Sequence, residues 1–172
     1  MSFDSAPINL THHFLIAMPG LEDESFARSV VYLCEHSERG ALGLIINKPS
    51  DITLKSLFGF VLHEPMLMDK AETDESAYAS TMTIPGGLEM TTSKDVLEAL
   101  STGAGPRRVL ITLGYSSWGE GQLETELAEN AWLTVAADLS VIFDTPVPER
   151  YDRALSLLGL KAWMLSPEAG HA

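Results

Sequence analysis

A chain of 172 residues, 45% hydrophobic and 20% charged, has the apolar content for one packed domain spanning residues 1–172, and is too apolar to be dominated by disorder. Eleven Lys and Arg against 24 Asp and Glu give a formal net charge of −13, which repels phosphate backbones and anionic membrane surfaces and so disfavours direct nucleic-acid binding. Cys34 is the single thiol, so no intramolecular disulfide forms. The segment Met1-Ser2-Phe3-Asp4-Ser5 lacks the basic-then-apolar pattern of a secretory signal, and the longest apolar runs, 14–18 and 109–113, are too short to cross a bilayer. These features predict a cytoplasmic protein with no membrane partner.

In chain order, segments 14–18, 29–35 and 41–47 are short β-branched or aromatic-rich runs separated by Pro19-Gly20 and Ser37-Glu38-Arg39-Gly40, the pattern of antiparallel strands. Ser50 or Asp51 is placed to cap a short helix carrying Leu54, Leu57 and Phe58. Strand character returns at 60–63 and 81–84, on either side of a polar loop at 69–76. Thr92, with Asp95 three residues on, opens a helix that presents Val96, Leu97 and Leu100 and stops at Gly103. Segment 108–113 predicts a strand that feeds a glycine-rich turn, then a helix with Leu123, Leu127 and Ala131 at i, i+4 and i+8. Pro148 suits the first turn of a last helix, whose stripe is Tyr151, Ala154, Leu155 and Leu158 and whose stop is Gly159. Strands and helices without repeat or linker predict a single α+β domain.

The runs Phe14-Leu15-Ile16-Ala17-Met18-Pro19, Ser29-Val30-Val31-Tyr32-Leu33-Cys34-Glu35-His36, Gly43-Leu44-Ile45-Ile46-Asn47-Lys48-Pro49, Gly114-Tyr115-Ser116-Ser117-Trp118 and Gly121-Gln122-Leu123-Glu124 occur in one order. That series closely resembles the AlgH/YqgE family of bacterial proteins over nearly the whole chain. The resemblance implies a compact α+β fold of bifurcated, coiled, mostly antiparallel or mixed sheets around several helices. It implies no established reaction, although some family members carry the label of transcriptional regulator of alginate synthesis. Family members usually have an additional segment with a Gly-Gly-Pro-Val motif where Phe58 here meets Gly59, so either this protein has lost a strand and loop or residues are missing between these two, and a gap there is expected.

Several constellations carry chemistry. Cys34 and His36, two apart on a strand, share a face by alternation and suggest a thiol nucleophile with its base, but no third group orients them, and a buried apolar thiol is the simpler account. Ser116, Asp144 and His171 stand in the order of an α/β-hydrolase triad, yet Trp118 occupies the position where the nucleophile elbow needs glycine. Gly103 to Arg108 lacks a third glycine and precedes a strand, so it does not make a dinucleotide loop. No pair of ligands has zinc spacing. Glu120, Glu124, Glu126 and Glu129 form the solvated face of a helix.

The turn from Gly114 to Gln122 is the best local candidate. A strand that enters a glycine-rich turn opening a helix presents backbone N–H groups, and Tyr115 and Trp118 offer aromatic walls. Nearby glutamates oppose an anion there, and Asn47-Lys48 would supply the missing positive charge. The competing account makes the glycines structural, Ser117 the helix cap and Trp118 a core residue. The candidate ligand-binding residues are therefore Asn47, Lys48, Gly114, Tyr115, Ser116, Trp118, Gly119 and Gln122, with no catalytic residue, metal or cofactor assigned. The leading expectation is a non-enzymatic binding or regulatory protein with an unknown protein or small-molecule partner. One alternative is an enzyme or sensor for a small anionic metabolite at this turn, and another is a transcriptional regulator acting on DNA directly or through a partner.

Overall fold

Strand β1 (His13–Ala17) shows why this chain folds in layers. Phe14 and Ile16 point to one side and Leu15 and Ala17 to the other, and all four are fully buried. A strand apolar on both faces has to be covered on both faces. The computed structural model describes residues 8–19, 26–49, 60–64, 81–92, 94–103, 105–112 and 115–165, and β1 lies inside its larger sheet. That sheet also contains β2 (Val30–Ser37), β3 (Gly40–Ile45), β8 (Ser116–Trp118) and β9 (Trp132–Ala136), in the order β8-β3-β2-β1-β9. A second sheet runs β5-β6-β4-β7, from β4 (Phe60–His63), β5 (Thr81–Ile84), β6 (Leu88–Thr91) and β7 (Val109–Thr112). Every pairing is antiparallel.

The main core lies between the sheets. Phe14, Ile16, Val30, Tyr32, Leu44 and Ile46 meet Leu62, Ile84, Leu88 and Met90 there, with α3 (Leu139–Phe143) and α4 (Arg150–Ser156) closing the core through Val141, Ile142, Tyr151, Ala154 and Leu155. On the other face of the larger sheet, Leu15, Ala17, Val31 and Leu33 pack with Leu123 of α2 (Gln122–Ala128) and with Trp118 and Trp132. Helix α1 (Lys94–Ser101) covers the smaller sheet by packing Val96 on Val61. The expected α+β architecture is what the structure shows. Among the described residues, no helix is long and apolar enough to cross a membrane.

Among the described strands and α-helices, β6, β8, β9 and α3 were not expected. The helical spacing that joins Leu123, Leu127 and Ala131 reads past the true helix end, because Asn130 takes a left-handed conformation (φ 59°) and halts α2 before Ala131. The chain then enters β9, which pairs along all of β1. The turn after β7 contains a strand as well, so the backbone from Ser116 to Trp118 is paired to Gly43, Leu42 and Ala41 of β3. Helix α2 starts after Gly121 (φ 74°), with no side-chain cap, so Ser117 is a strand residue and not the cap. Pro148 lies in a 3-10 turn (Val147–Glu149) ahead of α4, and Leu158 falls beyond that helix, 38% exposed. The expected helix around Leu54, the polar loop at 69–76 and the Phe58–Gly59 junction lie outside the described residues.

A bulge in β2 alters one expected pairing. Leu33 pairs with Gly43 and Glu35 with the adjacent Leu42, so Cys34 is an extra residue. The insertion resets the alternation. Cys34 faces the core between the sheets, whereas His36 pairs with Ala41 and reaches Glu124 of α2 on the other side. The two side chains therefore do not share a face.

Candidate functional site

The end of β3, β7 and the start of β8 border a cleft of about 390 Å³. Ile45, Ile46, Leu110, Ile111 and Val147 give it apolar walls, and Lys48, Thr112, Tyr115, Ser116 and Arg150 give it polar groups. None of its described lining residues is acidic, in a chain of net charge −13. Tyr115 is 55% exposed and stands at the mouth, its ring edge-on to Phe60 with centroids 5.2 Å apart.

Arg150 is the unusual member. It is only 8% exposed, on the apolar stripe of α4 beside Tyr151 and Ala154. Its Nε donates to Thr145 O and its Nη1 to Ile46 O, which ties α4 to the end of β3. Nη2 remains uncommitted, and no carboxylate pairs with the guanidinium among the described residues. Burial pulls its pKa below the ordinary arginine value. The guanidinium thus donates to two carbonyls and, among the described residues, has no counter-anion.

Lys48 lines the same cleft, its Nζ donating to Ala27 O at 2.6 Å and paired with no carboxylate among the described residues. Asn47 instead holds the fold: its Oδ1 accepts from Val30 N at 2.8 Å and its Nδ2 donates to Arg28 O at 2.7 Å. That clamp fixes the strand end from which Lys48 projects.

A second cleft, of about 580 Å³, lies on the other side of Tyr115 and Ser116 and is lined also by Phe26, Ser117, Trp118, Gln122, Thr125, Glu126 and Trp132. Trp118 and Trp132 come from opposite edges of the five-stranded sheet, four strand spacings or roughly 19 Å apart if the sheet were flat. Their ring centroids are nevertheless 6.2 Å apart, because both side chains reach over the curved face beneath α2. Phe26 completes the cluster, 5.7 Å from Trp132 and 6.5 Å from Trp118. Glu126 Oε1 accepts the indole N–H of Trp132 at 3.2 Å.

The candidate residues are thus divided. Lys48, Tyr115 and Ser116 meet at the first cleft, whereas Tyr115, Ser116, Trp118 and Gln122 line the second. Gly119 donates its N–H to Gln122 Oε1 at 3.1 Å, and a Cβ on Gly119 would meet nothing nearer than that oxygen at 3.9 Å, so the position does not demand glycine. Gly114 lies outside the described residues, as does His171. Arg150 escaped the sequence reading, although a charged residue embedded in the stripe of Tyr151, Ala154 and Leu155 was a visible signal.

Other groups have structural partners. Burial pushes the Cys34 thiol up to about 12, far from a reactive thiolate. His36 accepts from Leu10 N at Nδ1, which places its proton on Nε2, 2.6 Å from Glu124 Oε1. Asp144 and Glu64 both bind Arg108 at 2.6 Å, joining α3 to the second sheet. Among the described residues no group of three or more His, Cys, Asp or Glu is placed to hold a metal ion.

The sequence matches the model of the AlgH-like family over residues 14–163. It is 76% identical to a UPF0301 protein of Verminephrobacter eiseniae over 200 aligned positions, and 69% identical to a UPF0301 protein of Paracidovorax citrulli over 213, each alignment covering both chains completely. Both alignments are longer than the 172 residues of this chain. The solution structure of the AlgH protein from Pseudomonas aeruginosa superimposes with a TM-score of 0.76, at 42% identity and full coverage of both chains. A crystal structure of a Corynebacterium diphtheriae protein shares the fold at 19% identity, with a TM-score of 0.65 over 85% of each chain. With the family pattern spanning both sheets and nearly all of the helical layer, the chain belongs to the AlgH-like family.

Proposed function

We propose that this protein is a non-enzymatic binding or regulatory protein of the cytoplasm whose ligand is a small anion with an apolar portion, held in the cleft between the sheets. The carrying observation is Arg150: a buried guanidinium that faces the cleft with Nη2 uncommitted and no carboxylate partner among the described residues. Lys48 adds a second positive charge, Tyr115 and Ser116 contribute hydroxyls, and the aliphatic walls suit the body of the ligand. The volume lies in the range of small-molecule sites. Binding is favoured over catalysis because the described lining contains no His, Cys, Asp or Glu to serve as a base for Ser116 or Tyr115. A single buried cysteine suits a reducing compartment.

A thermal-shift panel of octanoate, benzoate and inorganic phosphate tests this reading. A ligand present at about 100 times its Kd adds roughly 2.7 kcal/mol, which for a domain of this size raises Tm by about 5–10 °C. Arg150→Lys retains charge without the fork and should lose most of the shift. A panel without any shift, or a shift untouched by Arg150→Lys, overturns the reading.

A further inference from the structure

We propose that the second cleft, bounded by Phe26, Trp118, Glu126 and Trp132, is a binding site for an organic cation: an ammonium or guanidinium group on an apolar stem. It is a different site from the anion cleft and does not depend on that reading. Three aromatic rings converge there with no parallel stacking between them, at interplanar angles of 82°, 78° and 40°. The edge-to-face contacts of Trp132 with Phe26 and Trp118 take up part of the ring surface, and the aromatic surface that still lines the cleft carries the negative π face that attracts a cation. None of the described lining residues is basic, and the only formal charge among them is the Glu126 carboxylate.

Glu126 is the second, independent observation. Its Oε1 is occupied by the Trp132 indole, but its Oε2 is closed to water and has no hydrogen-bond partner. A carboxylate oxygen without a donor is costly inside a protein. Glu126 lines the cleft, and a cationic donor entering there meets the carboxylate whose second oxygen has no donor of its own. Thr125 and Gln122 give the ligand polar surroundings, and Glu124 in α2 and Glu129 at its C-terminal end add negative charge nearby.

Tryptophan fluorescence reads the site directly. Trp163 is 77% exposed, so Trp163→Phe removes the background and leaves Trp118 and Trp132 as reporters. That protein is titrated with n-butylammonium chloride, with n-butanol as the neutral match at equal ionic strength, and with the blocked peptide acetyl-Gly-Lys-Gly-amide. A saturable change with the ammonium and none with the alcohol is expected. Tighter binding of the peptide assigns the cation to a lysine of a partner protein, and tighter binding of the amine assigns it to a free metabolite. Glu126→Gln keeps the shape and the Trp132 hydrogen bond, and should weaken the ammonium about tenfold, the loss of one charge-assisted interaction. Phe26→Leu should weaken it too, and serves if Glu126→Gln does not fold. Lys48→Ala, in the other cleft, should leave it unchanged. An equal response to n-butanol, an affinity unaltered in both Glu126→Gln and Phe26→Leu, or no saturable response to either cation overturns the proposal.

Discussion

The two clefts share Tyr115 and Ser116 yet differ in almost every other property. One is aliphatic, lies between the sheets and is lined by Lys48 and Arg150; the other is aromatic, lies beneath α2 and is lined by Glu126. The difference follows the chain along β8, which pairs with the edge of β3: Ser116 at its start lines both clefts, whereas Ser117 and Trp118 line only the aromatic one. A short edge strand thus divides two chemical environments that the sequence brings together in one run of residues. The lesson is that a linear motif need not be a single site. Residues 115–118 look like one ligand loop and belong to two.

Removing the divider has the largest expected effect. Gly40 has φ +136°, and a Cβ there would lie 2.1 Å from Trp118 O, a backbone atom that cannot yield without moving β8. Gly40→Ala should cost about 3 kcal/mol in urea unfolding and disturb both clefts. Loss of one cleft with the other intact would show that β8 does not couple them. Arg150→Met sharpens the contrast. It strips donors from Ile46 O and Thr145 O and should cost about 2 kcal/mol, abolish the anion response and spare the tryptophan response.

A smaller effect concerns the clamp behind the aromatic cleft. The hydrogen bond from His36 holds the Glu124 carboxyl below its usual 4.5. A depressed acid stabilises the fold fully above its unfolded pKa and loses that contribution as pH falls through the folded value. Glu124→Gln should therefore cost about 0.5 kcal/mol near neutrality, a modest figure for a side chain 44% exposed, and converge with the parent protein in strong acid. Denaturation midpoints across pH 2–7 check this. Lys48→Ala is the mildest: stability should change by less than about 0.5 kcal/mol, while anion affinity falls about tenfold.

Much of this architecture was legible because β1, β2 and β3 are apolar on both faces, a pattern few surroundings other than a covered sheet accommodate. The missed elements are those whose local signal competes with another. Ala131 continues a helical spacing that Asn130 terminates, and Ser116–Trp118 is too short to show alternation. The Cys34 bulge is invisible to period-two reasoning and moves His36 to the opposite face. For the candidate site, Lys48, Tyr115 and Ser116 were readable as polar residues at strand ends. Their separation into two clefts was not, because it depends on Trp118 and Trp132 meeting from opposite edges of a curved sheet.

The central claim is that Arg150 awaits an anion in the cleft between the sheets. The most direct test is a ¹H–¹⁵N NMR titration of the intact protein with octanoate, following backbone amides and the Arg150 Nε–H. The account predicts saturable shifts at Thr112, Tyr115, Ser116 and the Arg150 side chain, and silence around Val96 on the far side of the second sheet. Shifts confined to other surfaces, or an Arg150 signal that does not move at saturation, would contradict it.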